Sequence, residues 1–253
     1  MQLELATSTL IGFCLALVRT TAWIIVCPPF NTPAVPGRVR VGLATAISFV
    51  IAQQIGSGGV SLELGPFVLA LLSQALAGFA LGFSVLILFS AIQAAGELID
   101  LQVGFSMASI LDPMSGTNAA PIGRFHQLLA LAIVFSINGH VLIVRGYLRS
   151  VEAIPMGGLD FARFSEQLVG LLGMFLVAAL EISLPVLAAL FCTEVALGLL
   201  GKAAPQLNIL VIGMAAKTMV AFSLLGITLV LLPESTESLL TQAIRSAAAA
   251  FGG

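Results

Sequence analysis

An all-α, membrane-associated fold of long, kinked helical hairpins is what this sequence predicts, and three observations carry the prediction. The first is composition: 59% of the 253 residues are hydrophobic and 9% are charged, where a soluble domain carries about 25% charged residues. The second is the run from Pro66 to Asp100, which contains no further proline. Its roughly 35 residues fit one helix about 50 Å long at 1.5 Å per residue. A bilayer core needs only about 20, so such a helix must tilt, kink or protrude. The third is a second overlong apolar segment at residues 166–201.

Charge and leader signals narrow the class further. The formal net charge of -2 excludes a nucleic-acid reader, which needs a basic patch to displace counterions. Glu4 precedes the first basic residue, Arg19, so the basic n-region of a signal peptide is missing. The first segment is therefore expected to stay in the mature protein.

In order along the chain, the first apolar segment covers residues 10–26 and carries Arg19. It stops at CPPFNTPAVPGR, where Pro28, Pro29, Pro33 and Pro36 cannot propagate a helix. Arg38 and Arg40 lead into the second segment, residues 41–55, followed by a Gly/Ser turn with Glu63. The third is the long run from Pro66, where Gly78 and Gly82 form a small-xxx-small spacing that admits another backbone.

Residues 96–124 then interrupt the hydrocarbon. Glu97, Asp100, Asp112 and Arg124 cluster here between uncharged stretches at 64–96 and 125–144, with Gly104, Pro113, Gly116, Pro121 and Gly123 breaking regular structure. Non-helical backbone beside apolar helices is tolerated where protein buries it or where it lines a water-filled space. An ordinary connecting loop and a pore-lining loop both fit.

The fourth helix is expected over residues 122–147, with Asn138, Gly139 and His140 near its end. A polar stretch with a turn at Pro155, Gly157 and Gly158 leads to the fifth, residues 166–201, with a kink at Pro185 and with Glu181 and Glu194 inside it. A tight corner at Lys202–Gln206, through Pro205, returns the chain as a sixth helix over 207–232, carrying Lys217 and ended by Pro233. Residues 235–251 read as a short, weakly amphipathic tail. If six segments alternate across a membrane, Arg38, Arg40, Arg124 and Lys202 fall on one side and Arg145, Arg149, Arg163 and Arg245 on the other. That tie leaves orientation open and speaks against a simple six-span protein.

No catalytic constellation is present: no H-E-x-x-H, no phosphate loop ending in Lys-Ser/Thr, no nucleophile elbow. The chain is expected to be no enzyme and to need no cofactor. Cys14, Cys27 and Cys192 lack metal-ligand spacing and read as buried small hydrophobes. His126 and His140 read as helix-end or network residues.

Charges inside apolar helices are usually paired. Glu194 and Lys217 lie 11 residues before and 12 after Pro205, at matching depth on the two arms of a hairpin, and are expected to form a buried ion pair. That pair could fix hairpin register, bind a neighbouring subunit or relay protons. Its rupture by Lys217→Met is expected to cost several kcal/mol. Arg19 and Glu181 have no sequence-local partner.

Several linked motifs carry a family resemblance. AAGELIDLQVGFSMASILDP, FSINGH, IPMGG and EVALGLLGKAAPQLNILVIG, together with PGRVRVGLA at the second helix, resemble the FliR family of the bacterial flagellar export apparatus. The injectisome SctT proteins share the pattern more loosely. The match runs from about residue 28 to 217 in the same order.

The resemblance implies a single-copy, non-enzymatic subunit of an export gate built with FliP and FliQ, through which unfolded flagellar proteins pass. FlhB is expected around its mouth and FlhA beneath, in the inner membrane at the flagellar basal body. It implies a FliP-like part over 1–165, a FliQ-like hairpin over 166–233 and a tail over 234–253. By position it also implies an apolar channel plug: Phe105, Ser106, Met107, Ala108 and Ser109, then Ile110, Leu111, Asp112, Pro113 and Met114. Met107, Ile110 and Leu111 would be the stopper side chains. Glu97, Asp100, Arg124, Pro205 and Gln206 are expected at a polar rim or at subunit contacts. Without the resemblance, a polytopic small-solute permease with Glu181, Glu194 and Lys217 at its midplane would be the alternative.

Overall fold

The computed structural model describes residues 2–56, 63–105, 120–153, 161–206 and 208–250. Among them are seven α-helices and no strand: α1 (Gln2–Val26), α2 (Gly37–Gly56), α3 (Leu64–Val103), α4 (Pro121–Ser136), α5 (Gly139–Ala153), α6 (Phe161–Ala203) and α7 (Ile209–Ala250). Five are long and apolar enough to cross a membrane, or six if the broken pair α4 and α5 counts as one span. This is an all-α membrane protein. The Gly/Ser turn after α2 and the Pro155–Gly158 turn lie outside the described residues.

The helices contribute to two compact units. One comprises Met1–Leu88, Val134–Gly173 and Leu239–Gly253, the other Phe89–Ile133 and Met174–Ser238.

In the first unit α1 packs along α2, and α2 touches α5. Trp23, 1% exposed, stacks on Tyr147 with ring centroids 4.3 Å apart and meets Phe30 at 5.1 Å. The Gly78 and Gly82 spacing is used inside the chain: a Cβ on Gly78 would collide with the Arg19 carbonyl, and one on Gly82 would stand 2.9 Å from the Trp23 carbonyl oxygen. The proline-rich link after α1 is held by Arg40. Its Nε donates to the Val35 carbonyl (3.2 Å), and its two Nη atoms donate to Asn31 Oδ1 and the Thr32 carbonyl.

In the second unit Ile99, Val103, Ile122, Val186, Leu190 and Ala221 form a closed apolar cluster, with Phe105 packed against it.

Four sequence expectations are extended or corrected. First, the apolar segment expected over residues 10–26 agrees with a candidate membrane span at Ser8–Val26. The helix that carries it, α1, starts earlier, at Gln2, because hydropathy marks membrane-compatible length and not helix length. Second, the expected single fourth helix is two: the chain breaks after Ser136, and Asn138 takes a left-handed φ of 56° before Gly139 restarts the helix. Asn is among the few residues that accept that conformation.

Third, α7 passes through Pro233 and continues to Ala250, absorbing the expected tail. Proline in a helix interior costs about 3 kcal/mol. Here Leu232, Thr236, Leu239, Leu240 and Ala243 are all buried, so an inward face spans the proline and offsets its cost. Pro185 likewise lies inside α6 without dividing it. Fourth, only Cys27 is buried; Cys14 and Cys192 are exposed. Burial pushes the Cys27 thiol up from its ordinary range, which leaves it an inert packing group.

Candidate functional site

The polar interruption is organised by the last turns of α3. Gly96 and Asp100, one helical turn apart, share a face. A Cβ on Gly96 would lie 2.6 Å from the Gly123 Cα and 2.7 Å from His126 Nδ1, so α3 and α4 meet here backbone to backbone. That approach brings the Asp100 carboxylate to the start of α4.

The first bond of α4 runs from the Arg124 N–H to the Ala120 carbonyl at 3.0 Å, which makes Ala120 the N-cap. Alanine has no side-chain oxygen for the free N–H groups of a first helical turn. Pro121, at the first helical position, has no N–H to satisfy. The two N–H groups that follow both find Asp100: Ile122 N donates to Oδ1 at 3.1 Å and Gly123 N to Oδ2 at 2.8 Å. Asp100 is 1% exposed, and the positive end of the helix dipole adds to its fit. Asp100, expected at a polar rim or subunit contact, is internal within the chain, and each of its carboxylate oxygens accepts one N–H.

The same residue ends α3. Its carbonyl accepts from Gly104 N and Phe105 N, both at 3.1 Å, while Gly104 adopts φ 102°, the left-handed geometry with which helices commonly close on glycine. Phe105 then packs on the apolar cluster. The other expected plug residues, from Ser106 to Met114, lie outside the described residues.

Below Asp100, His126 is buried. Its Nδ1–H donates to the Ile122 carbonyl at 2.9 Å, and Nε2 stands 3.3 Å from Thr228 Oγ1 on α7. It is a network residue joining α4 to α7.

Glu194 and Lys217 come together across the α6–α7 corner, Nζ to Oε1 at 3.2 Å. The expectation of a buried pair needs qualifying, because the Lys217 side chain is 17% exposed and that of Glu194 54%. A third member went unread in the sequence. Gln102 Nε2 donates to Glu194 Oε2 at 2.8 Å, and Lys217 Nζ lies 3.5 Å from the Gln102 carbonyl. Nothing in local spacing points to Gln102, since its partners are 92 and 115 residues away.

The remaining expected rim residues face outward. Glu97 is exposed and accepts from Gln93 Nε2 (2.8 Å), Arg124 is exposed and donates to Gln127 Oε1 (2.7 Å), and Pro205 and Gln206 form the exposed corner. Glu181 is also exposed on α6.

The first unit holds a polar site of its own. Arg19, without a local partner in the sequence, is 0% exposed. It donates to Gln74 Oε1 (3.3 Å) and to the Ser150 carbonyl and Oγ (3.0 Å each), and it sits 5.9 Å from the Tyr147 ring centroid. A buried charge demands such bonds, and each to a charged donor contributes about 1.5–3 kcal/mol. Among the described residues no group of three or more His, Cys, Asp or Glu is placed to hold a metal ion.

Comparison with known proteins places this architecture. Residues 10–243 match the family described as bacterial export proteins, family 1. The flagellar biosynthetic protein FliR of Bacillus subtilis is 33% identical over 222 residues, covering 85% of this chain and 84% of the relative. FliR of Escherichia coli is 33% identical over 227 residues, covering 89% and 87%. The Yop proteins translocation protein T of Yersinia pestis is 27% identical over 231 residues, covering 88% of each. The matched span takes in α3 with its Asp100 closure, the broken α4–α5 pair and the α6–α7 hairpin, and with that extent of agreement the chain belongs to the bacterial export proteins of family 1.

Proposed function

We propose that this chain is a core subunit of the bacterial flagellar type III export gate, a channel component and not an enzyme. It sits in the inner membrane at the flagellar basal body and assembles with FliP- and FliQ-type subunits, with FlhB- and FlhA-type proteins adjoining. Unfolded flagellar proteins are its cargo. The observation that carries this reading is the agreement with FliR proteins along almost the whole chain.

Surface chemistry supports an assembled state. α6 and α7 are strongly apolar, yet the chain itself buries only 28% and 22% of an 18-residue, membrane-length window of each. Phe191 (62% exposed), Val230 (78%) and Met219 (72%) lie uncovered. Apolar surface on that scale needs lipid or partner subunits.

On this reading residues 105–114 contribute an apolar plug with Met107, Ile110 and Leu111 as stoppers. A dry, narrow constriction blocks ions, and an arriving substrate displaces it. Residues 1–165 serve as the FliP-like part and 166–233 as the FliQ-like hairpin, whose register Glu194 and Lys217 fix. The exposed Glu97, Arg124, Pro205 and Gln206 meet neighbouring subunits.

Copurification from the native membrane followed by mass determination tests the assembly: defined FliP- and FliQ-type stoichiometry is expected. A chain that purifies alone and shows saturable small-solute flux would overturn it in favour of a permease. Deleting residues 107–111 is expected to leave assembly intact while the membrane leaks ions. Unchanged conductance in an assembled deletion would remove the plug.

A further inference from the structure

We propose that Asp100 is a positioning residue of the gate, holding the end of α3 and the start of α4 at a fixed separation through one side chain and one carbonyl. This rests on the gate reading for its consequence, though not for its geometry. The carbonyl of Asp100 binds the N–H groups of Gly104 and Phe105, and its carboxylate binds those of Ile122 and Gly123. One buried residue thus fixes both described ends of the stretch between Phe105 and Ala120.

Three features make the tie specific. α4 has no cap of its own, because Ala120 stands at its N-cap. The carboxylate uses one oxygen on each N–H, so Asp100→Asn can keep only one bond; its amide NH2 would face the second donor. The 1% exposure and the contact at Gly96 and Gly123 leave no room for the longer Asp100→Glu.

A helix cap and an inter-helix tie make different demands, and a second site separates them. Ala120→Ser offers the first turn of α4 a local oxygen but restores no link to α3. The experiment uses the assembled gate with its partner subunits and compares the wild type, Asp100→Ala, and Asp100→Ala combined with Ala120→Ser. Amide hydrogen exchange is followed at residues 100–105 and 120–126, and ion leak in reconstituted membranes.

In Asp100→Ala, exchange is expected to speed roughly tenfold, the size of a lost cap, at residues 122 and 123, which lose their acceptor. Residue 100 keeps its carbonyl, so faster exchange at 100–105 follows only from release of the tie to α4, and leak rises with it. With Ala120→Ser added, protection should return at 120–126 only, while residues 100–105 stay fast and the leak persists. Unchanged exchange in Asp100→Ala overturns the tie. Full rescue at both ends by Ala120→Ser also overturns it, reducing Asp100 to a cap. The exchange data stand whatever the deletion of residues 107–111 does to conductance, so failure of the plug and failure of the tie are told apart.

Discussion

α3 and α6 are equally apolar helices of similar length, 40 and 43 residues, yet the chain treats them differently. Over an 18-residue, membrane-length window it buries 67% on α3 and only 28% on α6. On α3 the positions Ala77, Ala80, Leu81, Leu88, Ala91, Ile92, Ala95 and Ile99 are all 3% exposed or less, and its Gly78, Gly82 and Gly96 sit against other backbones. On α6 Val169, Leu176, Leu184, Phe191 and Leu199 are each more than half exposed, and Gly170, Gly173 and Gly198 face open space. Hydropathy states that a surface needs cover. It does not state whether the same chain, a partner or lipid supplies it.

The most direct way to break this contrast is to add bulk on each helix. Gly78→Leu would drive a side chain into the α1 backbone and is expected to abolish accumulation of folded protein, a loss above about 3 kcal/mol for overpacking that backbone cannot relieve. Gly198→Leu on α6 should leave the purified chain's thermal midpoint unchanged, while reducing copurification with partner subunits. Equal damage from the two would mean that α6 is covered by the chain after all.

Next in size is Arg19→Met. It leaves Gln74 and Ser150 without their donor inside the first unit, at about 3 kcal/mol, read as a lowered urea midpoint in detergent. A surface residue such as Arg124 changed to Met should move the same midpoint hardly at all.

Gly104→Ala places a Cβ at φ 102° and is expected to cost about 1–2 kcal/mol, seen as faster exchange at the end of α3. The smallest effect belongs to Lys217→Met. With Glu194 54% exposed, the isolated chain should lose no more than about 1 kcal/mol, well below the several expected from a buried pair. A much larger penalty in the assembled gate, measured as lost complex, would show that a neighbour covers Glu194. An identical small effect in both settings would show that the pair stays wet.

How much was legible follows from the range of each interaction. The length of α3 was readable because nothing between Pro66 and Val103 interrupts it. The break at Asn138 was not, because Asn-Gly inside an apolar run can continue a helix or leave it, and only the packing on either side decides. Pro233 misled for the same reason: local propensity ends a helix there, but five buried positions from Leu232 to Ala243 outweigh it. At the site, the pairing of Glu194 with Lys217 was foreseeable from nearly equal distances about Pro205. Gln102, 92 residues from Glu194, was not.

By itself, then, the sequence determined the solvent and the class: a chain with so few charges must place its surface against hydrocarbon or protein, and in such surroundings helices satisfy their own backbone. It also determined the family, through motifs spread along the chain. What only the tertiary structure decided is where each costly polar group finds relief. Arg19 reaches Ser150 across 131 residues, and Asp100 reaches Ile122 and Gly123 across 22 and 23. Such bonds depend on backbones brought together by Gly78, Gly82, Gly96 and Gly123, and a linear pattern carries the glycines without naming what they meet.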